Sequence, residues 1–304
     1  MQLTETNKTA ALIKARITSI DFLRGAIMII MALDHVRDYF HAQAFYYDPM
    51  DLEKTSVWIF FTRWITHYCA PIFMLLSGVS ASLMAQRKTK KQLASFLFTR
   101  GLWLVILELT VVNVGWNFNL LFPNFLFVTI WALGISMICL AGLIFLPKKI
   151  ILLIAAAMIV GHNMLDGIHV PGNSLRAFVW ALVHDQQFFT WHGKILLVGY
   201  PLVPWIGVMA LGFCLGDWFA AGYDVSKRKR NLLFTGIVAI VFFFILRLVN
   251  VYGDPSRWTT QSTPLYTFLS FLKVTKYPPS LMYILMTLGR RLYFLHSLNI
   301  QKEA

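Results

Sequence analysis

Apolar stretches of helical length recur along the chain, separated by short polar connections. Eight stretches have the length and composition of membrane spans: about 22–41, 63–85, 95–114, 124–146, 149–166, 195–219, 231–251 and 278–294. A helix rising ~1.5 Å per residue needs about 20 apolar residues to cross a hydrocarbon layer of roughly 30 Å. The pattern therefore predicts an all-α, polytopic transmembrane helical bundle of about eight spans. It divides into a 1–21 amino-terminal segment, a 22–294 membrane domain and a 295–304 tail. Pro71, Pro201, Pro204 and the Pro278-Pro279 pair fall at or near the starts of spans, where they give irregular entries that line cavities.

Composition agrees with the pattern. Hydrophobic residues make up 58% of the chain and charged residues 13%, against about 25% charged in a soluble domain. No polar segment is long enough for a separate soluble domain. The net charge of +13 is clustered between apolar runs. That is how membrane topology is set, and it gives no reason to expect nucleic acid. Basic clusters lie in every second connection: Lys8, Lys14 and Arg16; QRKTKKQ at 86–92; Lys148 and Lys149; KRKR at 227–230; Arg290 and Arg291. This alternation places the amino terminus in the cytoplasm and the connections 42–62, 115–123, 167–194 and 252–277 outside. The three cysteines, Cys69, Cys139 and Cys214, are scattered and form no CxxC, which argues against a disulfide framework or a thiolate metal site.

The chemistry-bearing residues stand out against the apolar background. The first span runs from Phe22 through DHVRDYFH, so Asp34 and His35 lie ~20 Å along it. Ionisable groups inside a span mark a functional site by default, although DHVRDYFH also fits the wet end of a shorter helix. Glu108 in the third span and Arg247 in the seventh fall at the same depth. The four residues then converge on one polar layer in the outer half, either a cavity or a structural ion-pair network that fixes helix register. In that layer Arg247 holds Glu108 ionised or stabilises developing negative charge. His67 lies just before Pro71 near the outer surface. The histidines of the 167–194 connection are read as solvated, because His184 and His192 are spaced too widely for a helical metal pair. No metal site is expected.

Several segments in order resemble the heparan-α-glucosaminide N-acetyltransferase catalytic-domain family, in its bacterial members: RITSIDFLRG, DHVRDYF, FFTRWITHYCAPIFMLLSG, RGLWLVILELTVV, YPLVPWIGVMALGFCLG and KYPPSLMYILMTLG, over residues 16–290. The first helix is also similar to the type 3 acyltransferases, with His35 eleven residues after Arg24. The resemblance implies a multi-pass acyltransferase in a bacterial inner membrane, moving an acetyl group from acetyl-CoA to an amine or hydroxyl acceptor such as a sugar or glycan. It places an asparagine where this chain has Asp34, and a reactive histidine in the first outer connection, to which His41 and His67 are the nearest. It also implies further spans ending in a histidine-bearing helix, for which His296 stands in unless the chain is an inactive, truncated scaffold.

On this reading His35, oriented by Asp34, takes the acceptor's proton, and Arg24 and Arg100 at the inner face bind the CoA phosphates. The candidate catalytic residues are Asp34, His35, His67, Glu108 and Arg247. The partners are the lipid bilayer and a small-molecule or glycan acceptor, with a homo-oligomer left open. An ion-coupled transporter is the main alternative, since charges at one depth and proline-broken spans serve carriers too.

Overall fold

A computed structural model of the protein describes residues 18–42 and 46–289. Lys8, Lys14, Arg16, Arg290, Arg291, His296 and the 295–304 tail lie outside the described residues. The fold is mostly helical. Five helical stretches are long and apolar enough to cross a membrane: Val57–Ala85, Lys90–Asn117, Lys148–Leu165, Leu202–Phe219 and Val225–Val249. The 23-residue helix α1 (Thr18–Phe40) precedes them.

The second stretch is broken. Helix α2 (Val57–Thr66) is capped by Ser56, whose hydroxyl accepts the Ile59 N–H at 3.3 Å. Helix α3 (Cys69–Ala85) follows after a two-residue turn. Pro71 sits in the first turn of α3 and has no N–H to donate, so the carbonyl of His67 four residues earlier loses its helical partner. Tyr283 supplies the missing donor, its hydroxyl lying 2.6 Å from the His67 carbonyl.

Glycine sets the closest helix contacts. Helix α4 (Lys90–Leu107) packs on α6 (Thr129–Leu143) through Gly101 and Gly134, each of which faces the other's carbonyl. Helix α9 (Leu202–Leu215) packs on α3 through Gly212, which faces Leu75, and Gly78, which faces Met209. A Cβ at any of these would run into backbone atoms. Small residues of this kind let apolar helices approach without a hydrophobic driving force between them. Helix α7 (Lys148–Gly161) packs on the other side of α9. Helix α10 (Val225–Val249) begins at an Asp224 cap and carries the KRKR run in its first turns. It exposes Phe234, Val241, Phe242 and Ile245, a surface suited to lipid.

A small three-stranded sheet accompanies the helices, in the order β1-β3-β2. Strand β1 (Asn124–Phe127) runs parallel to β3 (Lys194–Val198), and β2 (Gln187–Trp191) runs antiparallel to β3. The β2–β3 hairpin closes on His192-Gly193, both at positive φ (48° and 76°), as a two-residue turn of the I′ kind requires. The apolar stretches that begin at 124 and 195 therefore open as strands, and their helices start only at Thr129 and Leu202. Between α4 and α5 (Asn113–Asn117) the helix widens into a π turn, Glu108–Val112. The remaining elements are α8 (Leu175–Val183), α11 (Pro264–Leu272) and a last helix, α12, over 281–289.

Gly212→Leu is expected to push α9 off α3 and cost about 1–3 kcal/mol or more. The protein should melt several degrees lower in detergent, whereas Gly142→Leu, where a Cβ meets nothing within 4 Å, should melt like the parent.

Candidate functional site

Asp34 is the centre of a polar cluster between α1 and α2. Arg63 in α2 reaches both carboxylate oxygens, with Nη1 donating to Oδ1 at 3.0 Å and to Oδ2 at 3.1 Å. The Thr66 hydroxyl donates to Oδ1 at 2.8 Å. Arg37, one turn along α1, donates to Asp34 and also to Asp38 at 3.1 Å. Lys276, from the segment entering α12, brings its Nζ to 3.9 Å from Oδ2. Three cations and a hydroxyl thus meet on one carboxylate. Arg63 and Thr66 reach it together because they are three residues apart on one face of α2.

A cavity of about 190 Å³ opens beside this cluster. Its lining includes Arg63, His67, Lys273, Lys276 and Tyr277, with Asp48 its one acid among the described residues. The imidazole of His67 is buried, and its Nδ1 has no hydrogen-bond partner among the described residues. Its ring packs on Tyr283, with centroids 5.3 Å apart. Burial alone would raise the Tyr277 phenol, but the nearby Lys276 and Arg63 charges outweigh it and hold the group below its ordinary value.

The wall that carries Lys273, Lys276 and Tyr277 is held from behind by Arg247. This buried guanidinium donates to the carbonyls of Phe271 at 2.9 Å, Ser270 at 3.0 Å and Lys273, which end α11, and to that of Ser256 at 2.9 Å. A cation suits the unsatisfied carbonyls of a helix C-terminus. Asp254 completes the support, accepting from the Thr275 N–H (2.9 Å), the Thr275 hydroxyl (2.7 Å) and the Ser280 hydroxyl (2.7 Å).

Among the sequence candidates, His67 lines this cavity and Asp34 stands behind it, holding the lining residues Arg63 and Lys276. The others lie elsewhere. His35 turns to Trp116, with ring centroids 5.5 Å apart. Glu108 is buried at the amino terminus of α6, where its Oε2 accepts the Trp131 N–H at 2.8 Å. Glu108 and Arg247 sit in separate hydrogen-bond networks, so equal depth along two spans does not make them neighbours. Arg24 donates to the Ser80 hydroxyl and to the Leu76 carbonyl at 3.3 Å, and Arg100 is exposed. Asp217 pairs with Lys148. Arg63 and Lys276 are the site residues that sequence reasoning missed. Arg63 did carry a signal, since it lies four residues before His67 and hence one helical turn away.

The family profile described as heparan-alpha-glucosaminide N-acetyltransferase, catalytic, matches residues 16–248. The chain belongs to that family. The match spans Asp34, Arg63, His67, Glu108 and Arg247, and ends before Lys273 and Lys276. A search of the curated proteins gives no match. Family membership and the apolar helices together make the chain an integral membrane protein of an acetyltransferase family.

Removing Arg63 leaves Asp34 partly buried without its two-point partner. With Arg37, Thr66 and Lys276 still on the carboxylate, Arg63→Met is expected to cost about 1–3 kcal/mol. Asp34→Asn, which leaves Arg63, Arg37 and Lys276 without their shared carboxylate, should cost more. Thermal melts of the two variants in one detergent check the order.

Proposed function

We propose that the chain is a membrane acetyltransferase that uses acetyl-CoA as donor and an amine or hydroxyl of a sugar or glycan as acceptor, with the transfer at the Asp34–His67 cavity. The observation that carries this reading is His67, a buried imidazole with a partnerless ring nitrogen on a cavity flanked by Arg63 and Lys276, in a chain of an acetyltransferase family.

The residues fit the steps of acyl transfer. The acceptor's nitrogen or oxygen attacks the thioester carbonyl, and His67 takes the proton the acceptor loses. Negative charge builds on the carbonyl oxygen, where the already positioned Arg63 and Lys276 stabilise it. The C–S bond then breaks, and the imidazolium returns its proton to the CoA sulfur. Asp34 keeps Arg63 and Lys276 aimed, and Arg247 positions the wall that carries Lys276. About 190 Å³ is below the ~300–1,000 Å³ of sites for whole drug-sized ligands. The cavity suits the acetyl end of the donor and one acceptor group, with the rest of CoA outside it. On this proposal the amino terminus is cytoplasmic and the cavity faces the outer side, as the positive-inside pattern supports, and the family resemblance supports a bacterial inner membrane. Arg24 and Arg100, towards the inner side, are the proposed contacts for CoA phosphates.

The test is CoA release from labelled acetyl-CoA with and without glucosamine, in detergent. His67→Ala is expected to lower acceptor-dependent release about 10²–10⁴-fold, whereas His35→Ala should keep it within a few-fold. Full activity in folded His67→Ala would overturn the assignment. Glucosamine uptake into vesicles without acetyl-CoA would favour a carrier.

A further inference from the structure

A second polar cluster, apart from the cavity, gathers where α7 ends. A 3₁₀ turn, His162–Leu165, continues the helix and carries His162 and Asp166 to the same side. The end of α8 adds His184. One ligand-type atom from each of the three residues lies within 4.8 Å of the other two. His184 Nε2 and Asp166 Oδ1 are 3.0 Å apart. Two ligands at about 2.0–2.1 Å from one tetrahedral zinc are separated by roughly 3.3 Å, so this pair already has nearly the right spacing.

His162 makes the cluster more than a histidine–carboxylate pair. It is 2% exposed, and neither ring nitrogen has a partner among the described residues. His184 is equally buried, and its Nδ1 is also without a partner. A buried imidazole with both nitrogens unmatched is costly, because its N–H and lone pair have left water for nothing. A cation bound by one nitrogen satisfies the lone pair and leaves only the N–H of the other unmatched.

Neighbouring groups hold these side chains in place, as they do around bound metals. Asn163 Nδ2 donates to Asp166 Oδ2 at 2.8 Å and leaves Oδ1 for the site. The Asn163 Oδ1 accepts the Leu281 N–H at 2.8 Å and so ties the cluster to the start of α12. Trp180 packs beside His184, with ring centroids 5.9 Å apart, and its indole N–H donates to the Ile168 carbonyl at 2.9 Å.

We propose that His162, Asp166 and His184 form a binding site for a divalent transition cation of the zinc class, clipping the 167–194 connection to the bundle. Two imidazoles and a carboxylate, with no thiolate, suit zinc and leave a coordination position for water or a ligand. The spacing in sequence hides the site: His162 and His184 are 22 residues apart and meet only through the 3₁₀ turn and α8. The proposal is independent of the acyl-transfer reading.

The test uses the full chain in detergent with its affinity tag removed. The protein is equilibrated with zinc chloride, desalted and assayed for metal by mass spectrometry, beside His162→Ala and His184→Ala. The expected result is one zinc per chain in the parent and loss of at least nine-tenths of it in both variants, with unchanged elution and circular dichroism. Should the variants fail to fold, cobalt titration of the parent decides. Visible absorption of tetrahedral cobalt saturating at one equivalent supports the site, and its absence overturns it. A folded parent that keeps no stoichiometric zinc, or folded variants that keep all of it, also overturns the proposal.

Discussion

The contact on which the rest of the site depends is the two-point bond between Asp34 and Arg63. It joins α1 to α2 and fixes the face that α2 turns to the cavity. Taking two charges out of water is costly, and the attraction repays it only when the geometry is good and the remaining atoms are satisfied. Thr66, Arg37 and Lys276 meet that condition by filling the rest of the carboxylate. The cluster holds three cations against Asp34 and Asp38, so positive charge is left facing the cavity. That excess is what an oxyanion needs.

The rest of the architecture keeps this arrangement in place. Gly78 and Gly212 let α3 and α9 approach to backbone contact, a rigid base under the broken α2–α3 junction. Pro71 opens the helix at His67, and Tyr283 repairs the backbone bond that the proline removes. Arg247 gathers the carbonyls that end α11 and thereby sets the wall with Lys276 and Tyr277. A buried charge far from the chemistry can thus shape a site without touching it.

Much of the fold was legible in the sequence because the bilayer imposes one rule, that backbone polar groups pair within the chain. Apolar runs of span length therefore read as helices, and the helical architecture follows them. Asp34 stood out as a candidate because a polar group is conspicuous in an apolar run, whereas His67 entered through the family resemblance and was read near the outer surface, where the structure instead buries it. That Glu108 and Arg247 do not meet was not recoverable from depth along a helix. Depth fixes height in the bundle, but neighbours depend on how each helix is rotated. Glu108 instead caps α6, and Arg247 serves α11. The strands were hidden for a related reason. Asn124–Phe127 and Lys194–Val198 are apolar and adjoin span-length runs, so they read as helix ends until their pairing is seen. Lys276 came into view only when the segment before α12 met Asp34.

The central claim is that acyl transfer takes place at the Asp34–His67 cavity. The most direct measurement is a cryo-electron microscopy structure of the full chain with a non-transferable acetyl-CoA analogue. The account predicts the acetyl end within hydrogen-bonding reach of His67, with its carbonyl oxygen towards Arg63 and Lys276. An acetyl end lodged against Glu108 or beside His35 and Trp116, with the cavity empty, would contradict it.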